Sequence, residues 1–241
     1  MGASLKMTNP TFEANCLTCY SRTLSLFASM PREEVILLNQ QKKCISFSRD
    51  EYLFRQGSWP LGLFALSSGK VKNVRVSANG DEHIFSLNKA VDFLGFYDFM
   101  GDQPYSFSCV ALEPCLVCFI PRTYFLEMLQ RHPAIAIKTL QAVSRQFAQS
   151  IERSTNLQSK HMRGRMADTL LYLYDLFDGA NQDQVVRLHL KRSDFAALSE
   201  MNVANAIRTL SEFSKSGLIS LEDGVIRYLN LDELRRSSAL Q

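Results

Sequence analysis

The chain contains no apolar run long enough to cross a membrane. Its longest apolar stretches, such as "EVILLN" and "PCLVCFI", fall far short of the ~20 residues a spanning helix needs. The N-terminus has no basic segment leading into an apolar one, so no secretory leader is expected. Cytoplasmic location and no membrane partner follow as expectations. Charge of one sign is also scarce: the net charge is +3 over 241 residues, and residues 160 to 241 carry eleven Lys plus Arg against eleven Asp plus Glu. Bulk charge therefore does not announce a nucleic-acid partner, and any such case must rest on pattern. Catalytic constellations are missing too, since no nucleophile-base pair, carboxylate pair or phosphate-cradling glycine loop stands out, and an enzyme is not expected. The four histidines, His83, His132, His161 and His189, are scattered, with no pair at ligand spacing. Six cysteines in a chain of this length point to buried thiols, redox sensors or metal ligands in a reducing cytosol.

What is present is a globular composition, 46% hydrophobic and 21% charged, on a chain long enough for one large domain or two small ones. From Ile45 to Ile120 short apolar runs alternate with turn signals, and Gly57, Gly69, Gly80 and Gly101 punctuate them at the intervals of an all-β meander. "KVKNVRV" followed by "SANGDEH" predicts a strand, with Val71, Val74 and Val76 imperfectly spaced, entering an Asn79-Gly80 hairpin turn. A β-roll or barrel results. Within it, "FLGFYDFMGDQPYSF" gathers Phe93, Phe96, Tyr97, Phe99, Tyr105 and Phe107. Strand alternation lets only some of them face one cavity, so the segment is either core or the wall of a pocket.

After Pro133 neither Gly nor Pro appears until past His161, and apolar residues recur at Ile137, Leu140, Val143, Phe147, Ile151 and Leu157. Three- and four-residue spacing over roughly 28 positions predicts a helix ~42 Å long. The narrow stripe suits a seam between two helices, with Leu140, Val143, Phe147 and Ile151 as the dimer contact; a core helix lying across the roll is the plainer alternative. Beyond Gly164 come a helix "RMADTLLYLYDLF", a loop "DGANQDQ", a strand "VVRLHL", two short helices, a strand pair about Asp223-Gly224, and a terminal helix.

The two short helices, "RSDFAALSEMNVANAIRTLSEF", have helix-turn-helix spacing. Ala196 sits where the helices would cross, Phe195, Leu198 and Met201 point inward, and Ala206, Leu210 and Phe213 form the second helix's inner face. Asn202 is a suitable N-cap. Val203, Ala204, Asn205 and Arg208 then lie where base edges would be met, and Asn to adenine or Arg to guanine gives ~1 to 3 kcal/mol of discrimination. Lys191, Arg192 and Lys215 are candidate phosphate contacts. Glu200 holds the turn position where Gly is common, at a cost of about 1 kcal/mol if φ is positive.

The order of these segments resembles the superfamily of the cyclic-AMP receptor protein and the fumarate-nitrate-reduction regulator. The likeness runs through "EYLFRQGS", "LFALSSGKVKNVRVSANGDEHIF", "FLGFYDF", "CVALEPCLVCFIPRTYFLEML", "RMADTLLYL" and "LKRSDFAALSEMNVANAIRTLSEFSKSGLIS". It implies an α+β fold: an N-terminal arm with CxxC over 1–30, a cyclic-nucleotide-binding-like β-roll (double-stranded β-helix) over 31–130, a dimerisation helix over 131–161, and a winged helix-turn-helix over 162–241. It also implies a homodimer on a pseudo-palindromic double-stranded operator, with RNA polymerase as a further partner. Its ligand residues do not transfer. Family members that bind cyclic AMP place a Glu after the roll's Gly and an Arg-Ser pair downstream; here Gly95 precedes Phe96, and Tyr105 precedes Ser106. A phenol does not supply a guanidinium's paired donors, so a signal other than cyclic AMP is expected at Gly95, Phe96, Tyr105 and Ser106. In the recognition helix, Val203 and Ala204 replace the family's common Arg-Glu, and Arg208 alone matches.

Cys16, Cys19 and Cys118 overlap three of the four positions at which oxygen-sensing members hold an iron-sulfur cluster; the fourth is Ser25, and a hydroxyl is a poor substitute for a thiolate. Spacing leaves Cys44, Cys109 and Cys115 unplaced. Haem is a second possible cofactor, with His83, His132, Met100 or a Cys as axial ligand. The alternatives to a ligand-sensing regulator are thus a haem, iron-sulfur or thiol redox sensor of the same fold, or a constitutive regulator whose roll is a ligand-free dimer scaffold.

Overall fold

The computed structural model describes residues 15–76, 82–177 and 184–239. Part of the expected arm (1–14), the Asn79-Gly80 turn and most of the "DGANQDQ" loop lie outside the described residues. The chain enters through α1 (Tyr20–Leu24), a 3-10 turn (Leu26–Ser29) and α2 (Arg32–Gln41). Strands β1 (Lys43–Phe47), β2 (Tyr52–Phe54), β3 (Gly62–Ser68), β4 (Lys70–Val76), β5 (Glu82–Lys89) and β6 (Phe93–Leu94) follow. Then come α3 (Phe96–Met100), β7 (Ser108–Ala111), β8 (Cys115–Pro121), α4 (Arg122–Arg131), α5 (Pro133–Ser159) and α6 (Met162–Leu176). The C-terminal part is β9 (Val185–Arg187), α7 (Arg192–Leu198), α8 (Val203–Lys215), β10 (Ile219–Glu222), β11 (Val225–Tyr228) and α9 (Leu231–Ala239).

Two four-stranded antiparallel sheets, in the orders β1-β8-β3-β6 and β2-β7-β4-β5, make the roll. Phe47, Phe54, Leu66, Val71, Phe107 and Val117 fill the space between them. Each sheet is also covered on its outer face. Leu63 and Ile120 of the first sheet pack under α2, α4 and the start of α5 through Leu38, Phe125, Met128 and Ile135. Val74, Ile84, Leu87 and Val110 of the second pack against Met166, Leu170 and Phe195 of the C-terminal helices. Strands buried on both faces lose the alternation of a half-wet sheet. In β7 all four residues are buried, Cys109 and Ala111 in the inner core and Val110 in the outer one. The same reason explains the imperfect spacing in β4: Val71 belongs to the inner cluster and Val74 to the outer.

The aromatic segment departs from its predicted geometry. It is not one alternating strand but the short β6, then Gly95 at φ 67°, then α3. Helical spacing sends Phe96 and Phe99 outward together against Phe125, at ring distances of 6.2 and 5.5 Å. "VVRLHL" is also shorter as a strand than predicted, ending at Arg187, although the Leu188 N–H still reaches the Gly224 carbonyl at 2.7 Å. Gly164, expected before the sixth helix, is buried within α6.

The predicted long helix runs from Pro133, at N1, to Ser159, about 40 Å at 1.5 Å per residue. Its first turns rest on the roll through Ile135 and Thr139, both buried. Glu34 of α2 secures that end. Its carboxylate accepts from Arg131 (2.7 Å) and the Tyr124 hydroxyl (2.8 Å), and it lies 2.9 Å from His132 Nε2. Burial alone would raise the Glu34 pKa; the hydrogen bonds from Arg131, His132 and Tyr124 outweigh it and lower it from 4.5 to about 2. A carboxyl whose folded pKa is depressed stabilises the fold above its unfolded pKa and loses that contribution as pH falls through the folded value. Urea midpoints are therefore expected to fall between about pH 4.5 and pH 2, and Glu34→Gln to remove that part of the slope; equal slopes in both proteins would refute the assignment.

Candidate functional site: a nucleic-acid interface and a closed roll

The C-terminal unit is built around two short helices whose ends are fixed by side chains. At the start of α7 the Asp194 carboxylate, three residues in, accepts the Lys191 N–H at 2.8 Å, the back-reaching half of a capping box. α7 ends in a turn where the Ser199 hydroxyl donates to the Phe195 carbonyl at 2.7 Å and Glu200 takes φ 52°. Glu200 thus takes the positive φ that a Gly would accept more readily, and Met201 N–H closes the turn on the Ala196 carbonyl at 2.9 Å. Asn202 caps α8 as predicted, its Oδ1 accepting from Asn205 N–H at 2.8 Å. Ala206, Thr209, Leu210 and Phe213 form the buried face of α8.

The opposite face of α8 is open. Val203 and Ile207 are 44% and 43% exposed, and Asn202, Ala204, Arg208 and Ser211 are exposed beside them. Asn205 is half-buried, and its Oδ1 accepts from Arg208 Nη2 at 2.8 Å. Ile207 was missed by reasoning from the helix's first turn alone; its i+4 relation to Val203 is the signal that would have found it. After α8, Gly217 at φ 69° lets Leu218 N–H return to the Phe213 carbonyl at 2.9 Å. The chain then forms the small sheet β10-β11-β9, whose two-residue Asp223-Gly224 turn has both φ values positive, as the predicted hairpin requires. Tyr228 donates to the Leu170 carbonyl at 2.7 Å and ties this wing to α6. Exposed Arg187 and Arg227 on the wing add to the candidate phosphate-contact residues Arg192 and Lys215. Lys191 is differently placed, 3.5 Å from Asp50 of the roll.

In the roll, the residues expected to line a ligand pocket are packed against one another. The Tyr105 ring stacks on Phe54 at 3.8 Å and 17°, and a side chain at Gly95 would run into that ring. Phe96 points into the outer cluster instead of inward. Ser106 donates both its N–H (3.0 Å) and its hydroxyl (3.1 Å) to Asp98, a buried carboxylate that also takes the Gln103 amide at 2.9 Å. An internal anion thus occupies the donors at which the resemblance would place a cyclic phosphate.

Matches to known families bear on the same two regions. A model of the cyclic nucleotide-binding domain covers residues 44–132, and one of the Crp-like helix-turn-helix domain covers residues 164–237. The chain belongs to the Crp/Fnr family of transcription regulators. It is 28% identical over 227 residues to the fumarate and nitrate reduction regulatory protein of Vibrio cholerae, covering 91% of this chain and 88% of that one. It is also 28% identical over 225 residues to the transcriptional activator protein anr of Pseudomonas aeruginosa, covering 92% and 91%. Among solved structures, FixK2 from Bradyrhizobium japonicum superposes with a TM-score of 0.73 at 16% identity, over 83% of this chain and 98% of that one. A CRP/FNR-family regulator from Thermus thermophilus gives 0.66 at 19%, over 82% and 98%. The Crp-like helix-turn-helix implies DNA binding, and the family is not enzymatic. Among the described residues no helix is long and apolar enough to cross a membrane.

The family resemblance raises the iron-sulfur cluster again, and the residues present do not fit one. Cys16, Cys19, Ser25 and Cys118 do line one pocket of about 40 Å³. The Ser25 hydroxyl, however, is engaged in a local cap, donating to the Arg22 carbonyl (2.8 Å) and accepting from Phe27 N–H (3.1 Å). Cys118 has Cys44 as its sulfur neighbour, and the Lys42 ammonium stands among these thiols, 3.1 Å from Cys44 Sγ. A cation there opposes a bound metal. Among the described residues no group of three or more His, Cys, Asp or Glu is placed to share one. Of the haem-ligand candidates, His132 is bonded to Glu34 and Met100 is 43% exposed.

The helix-turn-helix is joined to the roll through Lys72 of β4, whose Nζ lies 2.7 Å from Asp194, both side chains being buried. Removing one partner of a buried ion pair strands the other charge. Lys72→Met is therefore expected to cost about 3 to 5 kcal/mol in urea unfolding, and adding Asp194→Asn to recover part of it; a loss below about 1 kcal/mol, the range of an exposed pair, would contradict this account.

Proposed function

We propose that the protein acts as a homodimer on a pseudo-palindromic operator, inserting α8 into successive major grooves, and that its roll does not respond to cyclic AMP. The observation that carries the DNA reading is the open N-terminal face of α8, where Val203, Ala204, Ile207 and Arg208 stand clear of the core, with half-buried Asn205 between them and Asn202 capping the helix. Arg208 is the guanine reader and Asn205 its support. Val203 and Ile207 suit thymine methyls. Arg192 and Lys215, with Arg187 and Arg227 of the wing, meet phosphates, so affinity falls steeply with salt. Lys191 joins them only if it leaves Asp50.

The dimer reading is supported by α5. Leu140, Phe147 and Ile151 are 67%, 64% and 53% exposed, and Ile137 is 58% exposed. With Ser144 they follow the 3-4-3-4 spacing of a two-helix seam. Val143, expected in that seam, is half-buried and packs against the roll instead. Paired α5 helices would hold the two recognition helices ~34 to 36 Å apart. Two features argue against cyclic AMP: the Tyr105 ring in the roll, and the Asp98 carboxylate on the Ser106 donors. The same packing favours, as a second reading, a roll that serves as a scaffold without a small-molecule ligand.

Selection of bound DNA from a random pool is expected to return two half-sites one helical turn apart. Arg208→Ala should relax discrimination at one base pair per half-site by ~1 to 3 kcal/mol; unchanged discrimination would reject the role of Arg208, and no enriched sequence at low salt would reject the reading as a whole. Phe147→Glu removes from each protomer a ring that the paired helices would bury, at ~1.5 to 3 kcal/mol apiece, so sedimentation should show at least ~100-fold weaker self-association; an undiminished dimer would place the interface elsewhere.

A further inference from the structure

The pairing of β1 with β8 places two thiols face to face. Cys44 and Cys118 are direct Cα partners in that antiparallel ladder, and their sulfurs are 3.8 Å apart. Opposed residues in such a pair have Cα atoms ~4.5 to 5.5 Å apart, within the ~4.4 to 6.8 Å that a disulfide spans. The two sulfurs are already within side-chain rotation of each other. Lys42 Nζ donates to Cys44 Sγ at 3.1 Å, and an ammonium at that distance favours the thiolate, the form that attacks.

Access and selectivity also favour this pair. Both cysteines are half-buried, and Cys118 and Lys42 border the pocket of about 40 Å³ behind Phe93, larger than the ~10 to 15 Å³ that admits one water. The other two thiols of the roll are protected. Cys109 is fully enclosed, and Cys115 is buried with its sulfur on the Lys70 and Glu113 carbonyls at 3.4 and 3.1 Å. In the arm, Cys16 is buried and Cys19 half-buried; the Cys118 thiol is held up by its contact with Cys44 and by burial, which suits it to resolving and leaves the attack to Cys44.

We propose that Cys44 and Cys118 form a redox-active dithiol that a hydroperoxide converts into a reversible cross-strand disulfide, with Cys44 attacking and Cys118 resolving. The Cys44 thiolate attacks one peroxide oxygen, the O–O bond breaks, and Cys44 becomes a sulfenic acid while the leaving oxygen takes a proton. With hydrogen peroxide that product is water. Cys118 then attacks the sulfenic sulfur, the S–O bond breaks, the S–S bond forms, and a second water leaves with the Cys118 proton. Two thiols have given two electrons to one peroxide, and an external thiol restores them by exchange. This chemistry goes beyond the DNA-binding reading and does not depend on it.

The test is to reduce the full chain, expose it to hydrogen peroxide, and map it by mass spectrometry after alkylation. The expected product has lost two hydrogens, leaves four of its six cysteines alkylable, contains a linked Cys44–Cys118 peptide, and reverts with dithiothreitol. Cys118→Ser should leave a Cys44 sulfenic acid that dimedone traps, and Lys42→Met should slow the reaction by roughly tenfold as the thiolate fraction falls. The wild-type map needs no variant to be informative. A Cys16–Cys19 link, disulfides only between chains, or overoxidised Cys44 beside a free Cys118 thiol would overturn the proposal. So would iron or zinc in protein purified without oxygen, if it shielded both thiols and was lost in Cys44→Ser.

Discussion

The buried contact between Lys72 and Asp194 is the constraint on which the relation between the two halves of the molecule depends. Lys72 projects from the outer face of the roll, a surface otherwise made of Val74, Ile84, Leu87 and Val110. An ammonium in that setting requires a counter-charge, and the nearest is on the first helix of the helix-turn-helix. Asp194 does two things at once: one oxygen meets Lys72 and the other caps α7 through the Lys191 N–H. The geometry of the DNA-reading unit and its attachment to the roll therefore share one carboxylate. An apolar cluster running from β4 and β5 through α6 to α8 and the wing surrounds this pair and excludes water from it. The apolar cluster holds the two halves together, and the ion pair adds one contact of defined direction between them.

The roll shows how a binding architecture can be closed from within. Asp98 supplies a negative charge to Ser106, and Tyr105 supplies a flat ring to Phe54. Each takes the place that an external ligand's phosphate or base would need. Space is left on the other side of Phe93, bordered by α1, the 3-10 turn and α5.

Much of this was legible in the chain before its structure. The Asn202 cap, the Asp223-Gly224 turn and the long helix all rest on local rules, and the structure contains each of them. The aromatic segment was misread because six aromatics in a β-rich region suggest a strand, whereas Gly95 in a left-handed conformation starts a helix there. Val143 fits the periodicity of α5 but packs against the roll, a distinction that depends on what lies beside the helix and not on spacing. The pairing of Cys44 with Cys118 and of Lys72 with Asp194 spans 74 and 122 residues respectively. Contacts at such separations leave no periodic trace in one sequence.

The hydrogen bond from Arg208 to Asn205 has a consequence for how this protein meets DNA. An arginine on an exposed helix ordinarily gives up much rotameric freedom when it docks, a cost of roughly 0.5 to 1.5 kcal/mol per immobilised side chain. Here the guanidinium is already steered by its neighbour one turn back, so part of that ordering precedes the encounter. If α8 reads bases as proposed, the two residues act as a single element, and the base that Asn205 turns toward would set the direction from which Arg208 approaches the next. On the proposed DNA reading, specificity on this helix belongs to the pair, and half-site preference would drift by changing the supporting asparagine while the arginine stays in place.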